Sequence, residues 1–175
     1  MIKVYLANRP PLVDYLNVEV MEQLPSGEIT RIATETGNHW RKIFNVYAKL
    51  MYGLAQQQDD PLLPYFTSWQ RYRDQVLLQS GSATQLYPGA ISIAPVEDSS
   101  AVAVVHEDVV HEDVVHIVMG KAYAERILVN VELNWLDTDF AINRQQKIIV
   151  CPYFDYRQLS NSKIEFLASL IISLH

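Results

Sequence analysis

The sequence predicts a three-layer α/β/α domain built on a mainly parallel central sheet. Three observations carry that expectation. Short β-branched, apolar runs, IKVYLA at 2–7, HIVMG at 116–120 and KIIVC at 147–151, are each halted by turn-forming residues. Helical patterns follow the second and third, and strand–helix–strand–helix is the order of parallel strands covered by helices. Finally, 175 residues with 49% apolar and 19% charged content suit one folded unit, residues 1–175, and are too few for two comfortable ones.

The opening run ends at Asn8-Arg9-Pro10-Pro11, because successive prolines cannot continue a central ladder. Over 28–55, Ile29, Ile32, Ala33, Trp40, Ile43, Phe44, Tyr47, Met51 and Leu54 recur at spacings of three and four, which is helical. Gly37-Asn38 interrupts the pattern, leaving one bent helix or two joined helices open, with Asn38 placed to cap a second helix from His39. Trp40 falls on the apolar stripe and is expected in the core. Residues 56–64 form a polar, proline-marked connection. Helical spacing returns over 65–79 through Phe66, Trp69, Tyr72 and Val76, and Ser80-Gly81-Ser82 ends it. After HIVMG, KAYAERI starts a helix at once. The segment 160–174 is amphipathic, its stripe made by Ile164, Leu167, Ala168, Ile171 and Ile172 and its start capped by Ser160 or Asn161.

Charge narrows the function. With 20 acidic against 14 basic residues, a formal net charge of −6 and a pI near 5.3, the chain has no global attraction for a phosphate backbone. A nucleic-acid role needs a local patch, and Asn38-His39-Trp40-Arg41-Lys42 and Arg71/Arg73 with Trp69 and Tyr72 are the candidates, each equally readable as core and solvated surface. The single cysteine, Cys151, excludes an intrachain disulfide and a cysteine-based zinc site, and is expected to be a buried, inert thiol. No secretory pattern opens the chain and no apolar run approaches the roughly 18 residues of a membrane span, so a cytoplasmic protein without membrane contact is expected. The pentapeptide Val-Val-His-Glu-Asp occurs at 104–108 and again at 109–113. His106, His111 and His116 are therefore five apart, on opposite faces of a strand or about 140° apart on a helix. Neither geometry converges on an ion, and no metal is expected. No cofactor is expected either: dinucleotide, phosphate-loop and serine-elbow signatures are absent, and Gly120-Lys121-Ala122 lacks a preceding glycine loop.

If the strands are parallel, their polar ends gather along one sheet edge, where open α/β sheets bind ligands. Asn8 and Arg9, Lys121, and the loop PYFDYRQLSN then share that edge. In the loop, Asp155 suits acid–base work, Arg157 an anion, and Tyr153, Phe154 and Tyr156 stacking. The helix opening at Asn161 offers backbone N–H groups to a phosphate or carboxylate. The plainer alternative packs Tyr153 and Phe154 on the core and pairs Asp155 with Arg157 at the surface.

The stretch 115–170 resembles the C-terminal half of the uracil-DNA glycosylase superfamily. VHIVMGKAYAERI is similar to that family's apolar strand, glycine and helix with a small residue. KIIVCPYFDYRQLSNSKIEFLASLI is similar to its second strand, proline-containing loop and final helix. IKVYLANRPP is similar in placement to its first strand and water-positioning loop. Where the family's second motif carries a His followed by Pro and Ser, this chain has Pro152-Tyr153-Phe154-Asp155. The resemblance implies a glycosylase-like fold and a nucleobase, nucleotide or single-stranded nucleic acid as partner. It implies that Tyr153 or Tyr156 stacks on the base, Arg157 meets an anionic group and Asn8 or Asp155 orients water, with Arg9, Lys121 and Asn161 bordering the ligand. Two rivals stand beside it. One is a non-catalytic interaction protein, a homo-oligomer or a binder of a protein partner, which ten tyrosines also suit. The other is a small-molecule hydrolase with Asp155 as its base.

Overall fold

The computed structural model describes residues 1–58, 66–91, 93 and 114–175. The Val-Val-His-Glu-Asp repeat, with His106 and His111, lies outside the described residues. Among the described residues six strands, β1 (Ile2–Leu6), β2 (Thr84–Pro88), β3 (Val115–Met119), β4 (Asn134–Trp135), β5 (Ala141–Asn143) and β6 (Ile148–Cys151), form one sheet in the order β2-β1-β3-β6-β5-β4. Neighbours among β2, β1, β3 and β6 run parallel, as expected. The sheet is nonetheless mixed, because β5 lies antiparallel to β6 and β4 antiparallel to β5. A tight turn is enough to join antiparallel neighbours. Here the Asn143 carboxamide oxygen takes the Gln146 N–H at 2.8 Å and Lys147 adopts φ 51 to close it. The strand β2 carried no expectation of its own. It is an edge strand, the position that tolerates its terminal Pro88.

Among the described residues five α-helices cover the sheet: α1 (Glu28–Thr36), α2 (Asn38–Gln57), α3 (Trp69–Gln75), α4 (Lys121–Ile127) and α5 (Asn161–Ile172). The first two are separate because Gly37 takes φ 76, ψ −155, which breaks the helical ladder and is open to glycine. Asn38 is consequently the first residue of α2 instead of its cap, and its carboxamide oxygen takes the Arg41 guanidinium. Helix α3 is shorter than the 65–79 pattern suggested. Ser68 accepts the Arg71 N–H at 3.4 Å to start it, and Leu77 and Leu78 leave it for the core, Leu78 at φ 57. In α5, Ile164, Leu167, Ala168 and Ile171 are buried as read, together with Leu170. Ile172 differs: as the last helical residue it turns outward, and Leu174 in the next turn folds under instead.

Strand alternation splits the sheet into two apolar faces. On one, Val4, Leu6, Ile117 and Ile149 pack with Ile32, Trp40, Phe44 and Leu167 from α1, α2 and α5. On the other, Tyr5, Val118 and Val150 pack with Tyr123, Ala124 and Ile127 of α4. Helices thus lie on both faces. Trp40 is a core residue, and Cys151 is fully buried, its thiol pushed far up by desolvation. The buried Tyr47 hydroxyl is satisfied, 3.1 Å from the Ile2 carbonyl and 3.2 Å from that of Gln85, which ties α2 to both β1 and β2. Among the described residues no helix is long and apolar enough to cross a membrane.

His116 sits half-buried on the second face. Its Nδ1 is 2.8 Å from the Tyr5 hydroxyl, and its ring stacks on Tyr5, which stacks in turn on Tyr87. Burial, then the Lys3 charge, pushes the imidazole pKa down to about 4. A histidine depressed in the folded state is protonated first in the unfolded chain. Its contribution is therefore complete above about pH 6.5 and is lost as pH falls from there toward 4. The expected result is that His116→Gln removes that loss: between pH 7 and pH 4.5 the variant should lose less stability than the wild type, by on the order of 2 kcal/mol. Urea unfolding at the two pH values checks it.

Candidate functional site at the carboxyl edge of the sheet

The order β2-β1-β3-β6 reverses direction between β1 and β3, since the chain leaves β1 toward β2 on one side and leaves β3 toward β6 on the other. Such a reversal opens a crevice between the carboxyl ends of β1 and β3. Extending the register Tyr5↔Val118 puts Ala7 level with Gly120, and extending Met119↔Cys151 puts Pro152 level with Gly120. Asn8 and Tyr153 thus rise on either side of Gly120. The Asn8 side chain approaches the Tyr153 hydroxyl across the end of β3. Gly120 has φ 90, and among the described residues nothing stands within 4 Å of where a Cβ would project, so they leave the floor between them open.

The third member comes from elsewhere in the chain. His39, at the start of α2, places Nε2 3.1 Å from the Tyr153 hydroxyl, and the two rings stack with centroids 5.5 Å apart. Burial pushes the Tyr153 phenol up to about 12, against the opposing Asn8 hydrogen bond, so the hydroxyl keeps its proton at neutral pH. Asn8, Arg9, Pro10, His39 and Trp40 border a shallow depression of about 520 Å³. Arg9 anchors this rim. Its Nε donates to the Val18 carbonyl at 3.0 Å, and its guanidinium fills the space beside Gly89, 2.5 Å from where a Cβ would stand.

A second group lies along the same loop. The Asp155 carboxylate accepts the Lys42 ammonium at 2.7 Å and the Arg157 backbone N–H at 3.0 Å. Those two bonds, Lys42 first, hold its carboxyl below the usual carboxylate range. Asp155 is therefore a firm anionic acceptor and a weak base. Lys42 also stands 5.0 Å from the centroid of the exposed Tyr156 ring. The Asp155 side chain thus takes Lys42 and not the Arg157 guanidinium as its ion-pair partner, and Arg157 is exposed at the surface. Phe154 is fully buried, its N–H directed at the Met119 sulfur.

The structure brings Asn8 and His39 together at Tyr153, and joins Asp155 and Tyr156 through Lys42. Two candidates are engaged elsewhere: the Lys121 ammonium lies 4.3 Å over the Trp135 ring, and the Asn161 side chain accepts from Lys49 at 3.3 Å. His39 and Lys42 stood out in the sequence only as a basic and aromatic motif. Their i, i+3 spacing puts both on one side of the helix start, a signal that they share neighbours.

The frame is an α/β sheet with a polar, aromatic cluster at its switch point. The chain belongs to a family of unknown function, DUF6942, whose model matches residues 1–172. No curated protein and no solved structure matches it.

The ion pair makes a pH-dependent prediction. Because the folded carboxyl of Asp155 is depressed, its stabilisation is present above the unfolded value near pH 3.9 and is lost as pH falls through the folded value. Lys42→Met is expected to cost about 0.5–1 kcal/mol at pH 7, as for a partly exposed pair, and to approach wild type at pH 3. Chemical denaturation at the two pH values reads the difference.

Proposed function

We propose that this chain binds a nucleobase or nucleotide-like ligand at the carboxyl edge of its sheet, as a divergent relative in fold of the uracil-DNA glycosylase superfamily. The observation that carries the reading is the Asn8–Tyr153–His39 cluster beside the open Gly120. A flat ring has aromatic partners there in His39 and Tyr153, and in the exposed Tyr156. The Asn8 carboxamide offers both a donor and an acceptor, the combination a base edge demands. Lys42 and Arg157 supply positive charge for a phosphate. The resemblance calls for a histidine in the loop after β6. That loop has none, and His39 reaches its Tyr153 from α2 instead. Within the cluster His39 is the group suited to proton transfer, and Asn8 the one suited to holding water.

Fluorescence anisotropy of short single-stranded oligonucleotides, with and without uracil, at low salt tests the reading, together with thermal shifts by free uracil and mononucleotides. Saturable binding is expected, weakened about tenfold by Asn8→Ala or His39→Ala through loss of one ligand hydrogen bond. Circular dichroism establishes that each variant is folded, and a base-release assay then asks whether chemistry follows. No binding at low salt, to any of these probes, overturns the proposal.

One observation favours a second reading. Val13 and Leu16, 86% and 56% exposed, stand in the segment after β1, and Leu16 borders the depression. Apolar side chains beside a polar cleft suit a protein partner or a second copy. A melting temperature that rises with protein concentration is expected under that reading alone.

A further inference from the structure

We propose a separate ligand site in the groove between α1 and α2, built for a small organic anion: a phosphate or carboxylate carried on an apolar body. The groove encloses about 350 Å³, the small end of the range for ligand pockets and room for one ring with its head group. Its apolar wall is Ala33, backed by the buried Ile29 and Phe44. Among the described residues its polar surface carries no carboxylate: Thr30 and Thr34 come from α1, Asn38, Arg41 and Asn45 from α2, and Arg73 reaches in from α3.

Spacing on the helices explains the sorting of charge. On α1, residues 30, 33 and 34 face the groove, while Glu28 and Glu35 are turned to the other side and held by Arg31, at 2.6 and 3.3 Å. On α2, Arg41 and Lys42 are about 100° apart around the axis, so Lys42 goes to Asp155 and Arg41 to the groove. The groove is therefore distinct from the carboxyl-edge cluster although the two are adjacent in sequence.

The two guanidiniums are oriented before any ligand arrives. Arg41 donates to the Asn38 carboxamide, a neutral acceptor that leaves its charge uncancelled. Arg73 donates to the Asn45 carboxamide at 2.6 Å and to Asp74 at 2.7 and 3.1 Å, so its charge is balanced but its direction is set. Each terminal guanidinium nitrogen carries two N–H groups, so both arginines retain donors for an oxyanion. Charge selection falls on Arg41, and geometry is shared with Arg73. An apolar floor under such donors holds an organic anion better than a bare one, since the body is desolvated while the head is bonded.

The test is a backbone-amide NMR titration with phenyl phosphate, benzoate and phenol. Phenyl phosphate or benzoate is expected to give saturable shifts at Thr34, Gly37 and Arg41, the tighter of the two identifying the head group, and phenol is expected to give none. Arg41→Gln, at an exposed position where folding is not at risk, should weaken the binding about tenfold. Arg73→Lys, which keeps the charge and loses the planar fork, should weaken it less. The proposal is overturned if neither anion gives saturable shifts, if the shifts lie away from the groove, or if Arg41→Gln binds as tightly as wild type.

Discussion

Everything at the carboxyl edge depends on β1 being paired in parallel on both sides. Parallel neighbours cannot be joined by a turn and require a crossover. The excursion from β1 to β2 accordingly carries α1, α2 and α3 before the chain returns to the sheet. The excursion from β3 toward β6 leaves through α4, which packs on the opposite face. Because the two excursions depart in opposite directions from adjacent strand ends, the crevice at Gly120 is a product of topology. The helices then decide which side chains reach it, and α2 delivers His39 and Lys42.

The sequence disclosed most where apolar residues run continuously. IKVYL, VHIVM and IIVC are central strands, and their burial on both faces produces the unbroken pattern that makes such strands readable. The strand TQLYP was not readable in this way. On an edge it buries alternate residues only, and its Thr84, Gln85 and Pro88 resemble a loop. The two-residue β4 and three-residue β5 are too short to show a period. Their pairing comes from two tight turns, at Asp137 between β4 and β5 and after Asn143 between β5 and β6, which hydropathy does not encode.

The same division holds for the site. Asn8 and Tyr153 were legible because each follows directly on a central strand. The meeting of Tyr153 with His39, and that of Asp155 with Lys42, joins residues more than a hundred positions apart. No local pattern carries such a pairing. Lys121 shows the converse: its place after a strand is as read, but Trp135, on a strand too short to foresee, engages its ammonium. The acidic balance of the whole chain also hid a local fact. Helix α2 contains Arg41, Lys42 and Lys49 and no Asp or Glu, and its start supplies one cation to each site described above, Lys42 to one and Arg41 to the other.

Gly89 has a reach beyond its own turn. It closes the edge strand, yet the volume where its side chain would be belongs to Arg9, whose bond to Val18 holds down the segment bearing Asn8. Position 89 thus works as a depth stop for the rim of the crevice. Any residue larger than glycine there would displace the Arg9 guanidinium, and with it the bond to Val18, loosening the rim of the crevice from behind without touching a group inside it.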